Sequence, residues 1–155
     1  MQTQQQTQWC WAACASSVCA CAGVVPVPSQ CELASRYLPG VDCCTNPLPP
    51  LCNCSENTQD VLSDLGLLIA ATPGSPTFAR ADRELALNHV LVLRLRWLIS
   101  GGGHAMVVTE TRVDNRGAGW FHTEDPYYGP GDWLVATFPT MYHVLARCHS
   151  TLVAG

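Results

Sequence analysis

The sequence predicts an α+β fold, helices first and strands second, on three observations. Cap signals and helix-stopping Pro or Gly residues divide the first 89 residues into helical segments. From Val90 onward, β-branched and aromatic residues gather in short runs separated by turn residues. A chain of 155 residues, 48% hydrophobic and only 13% charged, can bury a core and is not disordered. One domain is expected over residues 1–155, with a helical lobe at about 9–89 and a β lobe at about 90–155.

Residues 9–22, WCWAACASSVCACA, carry Ala, Ser and bulky apolar groups with no Pro or Gly before Gly23, and predict a buried helix. Pro26 and Pro28 lie just past its end. Ser29 and Glu32 form a capping box that opens a second helix through about Tyr37, stopped by Pro39-Gly40. Residues 40–56 hold Pro47, Pro49, Pro50 and four cysteines, an irregular loop that needs covalent pinning. Asn57 to Asp60 cap a third helix, with Val61, Leu62 and Leu65 at core spacing. Residues 79–89 predict a short fourth. Strands follow at Val90–Leu98, His104–Val113 and Gly119–Glu124, with Trp133–Phe138 and Met141–Ala146 as the last two.

Composition excludes several function classes. The net charge is −4 and no basic run exists, so no nucleic-acid partner is expected. No stretch approaches the roughly 20 apolar residues of a membrane span. Val90–Ile99 comes nearest and is broken by Arg94 and Arg96. Met1 to Gln8 lack the basic and apolar regions of a signal peptide, and the expectation is a leader already removed.

Ten cysteines, nine of them between residues 10 and 54, point to an oxidising compartment, secreted or periplasmic. If one is reserved as a nucleophile, nine remain, so at least one further free thiol or an intermolecular bridge is expected. Disulfides among Cys31, Cys43, Cys44, Cys52 and Cys54 account for the loop. Cys19-x-Cys21 and Cys52-x-Cys54 lack the usual zinc spacing and a nearby histidine, so neither metal nor other cofactor is expected.

Three segments carry chemistry. The first is Gln4-Gln-Gln-Thr-Gln-Trp-Cys10-Trp-Ala-Ala13. A thiol attacks as the thiolate, which the positive end of a helix and a neighbouring imidazolium both favour. Cys10 in the first turn of the 9–22 helix meets the first condition. Its backbone N–H and the Gln4 amide could form an oxyanion hole. Taken alone, Cys10 could equally be one more disulfide cysteine.

The second segment is Gly101-Gly-Gly-His104-Ala-Met-Val-Val-Thr109, where the glycines leave room for a substrate backbone beside His104. The third is Glu124-Asp125-Pro126. Asp114-Asn-Arg-Gly117 is a turn sequence, and His104 and Asp125 are symmetric about its Asp114–Asn115 midpoint. A hairpin on that midpoint sets Asp125 beside His104, Glu124 on the other face and Asp114 at the far tip. Asp132 is the competitor. His89, His122, His143 and His149 have no companion motif and read as surface or core residues; Tyr127 and Tyr128 read as strand packing that could border a cleft.

Together these residues resemble the papain-like cysteine peptidases, and within them the bacterial effector family typified by the avirulence protease of plant-pathogenic pseudomonads. Trp9-Cys10-Trp11-Ala12-Ala13 resembles its nucleophile motif, Gly103 to Val108 its histidine strand, and Asp125-Pro126 its acidic third member, where papain has asparagine. Gln4, six residues before Cys10, has the family's oxyanion spacing, which selects it among the glutamines. Cys43-Cys44 and Cys52-Asn53 look like a cysteine pattern of secreted relatives.

The resemblance implies a two-lobe papain-like fold and a cysteine endopeptidase acting through a thioester acyl-enzyme. Cys10, His104, Asp125 and Gln4 are its catalytic residues, a protein or peptide its substrate. It also implies secretion, with delivery into a host cell as a further possibility. No membrane partner is implied, and nothing fixes an oligomeric state. A related acyl-transfer enzyme (leader peptidase, transglutaminase-like or amidase) shares every catalytic residue. A disulfide-stabilised binding module without catalysis fits a complete set of four less well.

Overall fold

The computed structural model describes residues 1–45, 50–99, 101–138 and 146–155. Among the described residues four helices, α1 (Cys10–Cys21), α2 (Gln30–Tyr37), α3 (Thr58–Asp64) and α4 (Phe78–Ala86), pack on six strands. These are β1 (Leu68–Pro73), β2 (Val90–Trp97), β3 (Gly103–Val113), β4 (Gly119–Asp125), β5 (Gly129–Leu134) and β6 (Ala146–Ala154). They form one sheet in the order β1-β6-β2-β3-β4-β5, and every neighbouring pair is antiparallel. The fold is α+β, as expected.

Capping decides most helix starts. Ser29 accepts from the Glu32 N–H while the Glu32 carboxylate accepts from the Ser29 N–H, the reciprocal box read from sequence. Asn57 and Thr77 cap α3 and α4 in the same way, through side-chain oxygens. The start of α1 differs: Trp9 occupies the cap position and offers no side-chain bond. Gly23, with φ of 74°, takes the left-handed turn that ends α1.

The sheet is covered on both faces at its centre, which explains why β2 and β3 read as apolar runs. Val92, Ala105, Val107 and Leu152 face α1, α2 and α3 around Trp9, Trp11 and Leu62. Leu91, Leu93, Met106, Val108 and Phe121 face the other way with Ala81 of α4 and Phe138. Strand alternation distributes one run between two cores.

Two expectations need correction. β1 lies between α3 and α4, so the helical half contains a strand. Its sequence, LIAATP, buries alternate residues only in part because it lies at the sheet edge. The strand expected at Trp133–Phe138 runs instead from Gly129 to Leu134, paired to β4 with Phe121 opposite Trp133. Of the strand expected at Met141–Ala146, residues 141–145 lie outside the described residues; β6 begins at Ala146 and pairs with both β1 and β2.

Two disulfides, Cys31–Cys44 and Cys43–Cys52, pin the loop after α2. Cys54, included among the candidates for pairing, is a free thiol that donates to the Pro50 carbonyl. Cys10, Cys14, Cys19, Cys21 and Cys148 are free as well, so the unpaired set is larger than the single extra thiol the odd count required.

Candidate active site

α1 begins at Cys10 because two indoles fix the chain on either side of it. Trp9 Nε1 donates to the Cys52 carbonyl at 2.6 Å, and Trp11 Nε1 donates to the Cys54 carbonyl at 3.0 Å. Both tryptophans are 1% exposed, and each buried N–H has an acceptor. Cys10 itself is 8% exposed and faces the hollows that contain His104. The N–H groups of a helix's first turn have no intrahelical acceptor, and Trp9 supplies no capping side chain for them.

His104 opens β3, and Asp125 closes β4. Their side chains meet: His104 Nε2 and Asp125 Oδ2 are 2.7 Å apart, at 7% and 1% exposure. The second carboxylate oxygen, Oδ1, accepts from the backbone N–H groups of Tyr127 and Tyr128 at 2.7 and 2.9 Å. The register that brings them together differs from the one expected. Val113 pairs with Gly119 across a five-residue turn, where Asp114 Oδ1 accepts from the N–H groups of Arg116 and Ala118. Continued unchanged, that pairing would set Asp125 opposite Val107, on the face away from His104. A bulge between Val108 and Glu110 shifts it by one, so Val107 pairs with Glu124 and Asp125 returns to the His104 face.

The competitors are accounted for. Asp132 bonds His122 Nδ1 at 2.8 Å and Arg112 at 2.9 Å. Asp114 closes the hairpin tip and accepts from Trp120 Nε1. Glu124 lies 4.0 Å from His122, and His89 bonds Glu84. His143 lies outside the described residues.

Burial works against a charged His104 ring, but hydrogen bonds to Asp125 and Cys10, with their negative charge, outweigh it and raise its pKa to about 9. With Nε2 bound to Asp125, Nδ1 is the nitrogen left for Cys10. Among the described residues the other buried thiols lack such a partner. Burial, with Cys10 nearby, pushes Cys14 well up; burial also raises Cys19 and takes Cys148 to about 12.

A raised histidine pKa sets the sign of a pH effect. Below about pH 6.5 the ring is protonated in both folded and unfolded chains, and its stabilising contribution is complete. Between that and about 9 only the folded chain holds the proton, so stability falls as pH rises through the window. Denaturation midpoints of the wild type and His104→Ala should therefore converge from pH 6 to 9.5. Parallel curves would refute the assignment.

Gln4 borders the same space, in a hollow with Thr7, Gln8, Cys10, His104 and Tyr128. Its backbone N–H donates to the Pro126 carbonyl at 2.9 Å, which ties the N-terminal segment to the corner after Asp125. Its Nε2 donates one hydrogen to the Gln6 carbonyl at 2.8 Å, and its buried Oε1 has no partner among the described residues. Gln30, 1% exposed, holds the segment through Gln2, Thr3 and Gln5.

Sequence reasoning missed Trp97 and His149 as contributors. Trp97 packs tilted against the His104 ring with centroids 5.9 Å apart, and Tyr128 meets both rings edge-on. His149 lines a second hollow beside Cys10, with Arg94 and Arg96. A histidine outside any motif gives no signal, but Tyr127 and Tyr128 were flagged by their place after Asp125-Pro126 and do line the hollow.

No curated protein matches the chain. A family model described as papain-like cysteine protease AvrRpt2 matches residues 1–138, a span that contains Gln4, Cys10, His104 and Asp125. With the helices-on-sheet α+β architecture beside that match, the chain belongs to the papain-like cysteine proteases of the AvrRpt2 family.

Proposed function

We propose that the protein is a secreted cysteine endopeptidase that hydrolyses peptide bonds through a thioester acyl-enzyme, with Cys10 as nucleophile. The observation that carries this reading is the meeting of three side chains from α1, β3 and β4: Cys10, His104 and Asp125. A protonated His104 opposite Cys10 favours the thiolate, and Asp125 supports the ring's positive charge. Cys10 Sγ attacks the scissile carbonyl. The oxyanion receives hydrogen bonds from the Cys10 backbone N–H and the second Gln4 Nε2 hydrogen. His104 gives its Nδ1 proton to the leaving amine, which departs as the thioester forms. His104 then takes a proton from water, whose oxygen attacks the thioester and frees the acid and Cys10. Trp97 and Tyr128 cover the ring and keep water from the His104–Asp125 bond. Two disulfides support an oxidising destination.

Labelling with an epoxide-type thiol inhibitor followed by peptide mapping tests the nucleophile. The adduct should fall on Cys10, and its yield should track loss of peptide hydrolysis. Full hydrolysis by protein fully alkylated at Cys10 would overturn the reading.

A further inference from the structure

The second hollow beside Cys10, which Gln4 does not line, is basic, in a chain whose net charge is −4. It encloses about 250 Å³, room for one side chain, and is bounded by Cys10, His104, Arg94, Arg96, His149 and Glu56 among others. Arg94 and Arg96 occupy alternate positions of β2 and so share a face. Arg36, Arg83 and Arg112 are each paired with a carboxylate. Among the described residues neither Arg94 nor Arg96 has one. Arg94 makes a single long bond, 3.3 Å, to the Gln59 amide oxygen.

His149 arrives by a local irregularity. Ser150 pairs with Arg94 and Cys148 with Leu95, so His149 is the extra residue of a bulge in β6. Its carbonyl accepts from Gly74 N–H at 2.8 Å while its exposed ring borders the hollow. The carboxylate on this wall, Glu56, accepts from the Asn57 N–H and forms no ion pair with either guanidinium.

Half-buried Arg94 thus presents an unmatched charge next to the nucleophile. A half-buried guanidinium without a carboxylate partner, at the wall of a hollow, can take an anion brought from outside. We propose that this hollow is a carboxylate subsite of the peptidase. It seats an acidic substrate side chain within two residues of the scissile bond, or the substrate's own C-terminal carboxylate, against Arg94 with Arg96 and His149 at the rim. The proposal rests on the peptidase reading for turnover but not for binding, which allows the two to be tested apart.

The experiment uses peptide pairs that differ only by Glu or Gln at each of the four positions nearest the scissile bond. One further pair has a free or an amidated C-terminus. Turnover is measured on the wild type, and affinity on full-length Cys10→Ala. The carboxylate member of one pair should be preferred by about tenfold to a hundredfold, the worth of a charge-assisted bond. Which pair responds identifies the side chain or the terminus as the source.

Arg94→Gln should reduce the preference to within about threefold, and Arg94→Lys should keep most of it, which separates charge from folding. Glu56→Gln should strengthen it. Arg94→Glu should favour lysine instead. Turnover without any preference would remove the subsite and leave the peptidase; a carboxylate preference in binding without turnover would do the reverse. Equality of all pairs in both measurements overturns the proposal.

Discussion

Cys10→Ala should lose at least about 10⁴-fold in peptide turnover, while Cys19→Ala and Cys21→Ala remain close to the wild type. The contrast follows from where α1 sets each thiol. Cys10 stands in the first turn opposite His104. Cys19 is fully buried in the helical core and Cys21 is exposed at the far end. His104→Ala should be about as damaging, since it removes the proton donor to the leaving amine as well as the charge beside the thiolate. Peptide hydrolysis measured on folded variants decides the matter. Equal losses in all three cysteine variants would end the assignment of Cys10.

Asp125→Asn should cost about 10³- to 10⁴-fold in turnover, far more than an isosteric change suggests. The reason is that both carboxylate oxygens already accept hydrogen bonds. Oδ1 takes the N–H groups of Tyr127 and Tyr128, and Oδ2 takes His104 Nε2. An asparagine has one oxygen to serve two sides. Directed at the tyrosine amides, its oxygen leaves the NH₂ group facing His104. The ring can then no longer carry a proton on both nitrogens, and the thiolate–imidazolium pair is lost. Turned the other way, its NH₂ opposes two backbone N–H groups and the 126–128 corner opens. The His104 titration followed by NMR should fall from about 9 in step with turnover. An unchanged titration with wild-type turnover would show that the ring is supported elsewhere.

Much of this site was legible because its elements carry local signals. The capping box at Ser29 and the Asn57 cap located α2 and α3, and the turn residues at 114–117 announced the hairpin. The face shared by His104 and Asp125 was also readable, but for an incomplete reason. The expected symmetric register omitted the wider turn and the bulge after Val108, and these two departures offset each other in parity. Bulges follow from pairing, not from composition, so no residue type advertises this one. β1 escaped for a related reason: its LIAATP segment is short, and the partner that makes it a strand, β6, lies about 80 residues further on. The arginines of β2 were read only as breaks in an apolar run. Their place beside Cys10 depends on the β2–β3 pairing, where Arg94 lies opposite Ala105, the residue after His104.

The tryptophan anchors tie the chemistry to the redox state of the surroundings in two opposing senses. Trp9 and Trp11 hold the helix start at Cys10 through carbonyls of Cys52 and Cys54, and Cys52 is itself half of a cystine. A thiolate nucleophile requires reducing equivalents to stay free of oxidation. Those same equivalents, in excess, cut the Cys43–Cys52 crosslink and release the strap against which the indoles are fixed. On the proposed reading, activity should therefore be bounded on both sides, by a threshold below which Cys10 is oxidised and a second above which its support comes loose. An enzyme built this way works in a band of potentials rather than above a single limit.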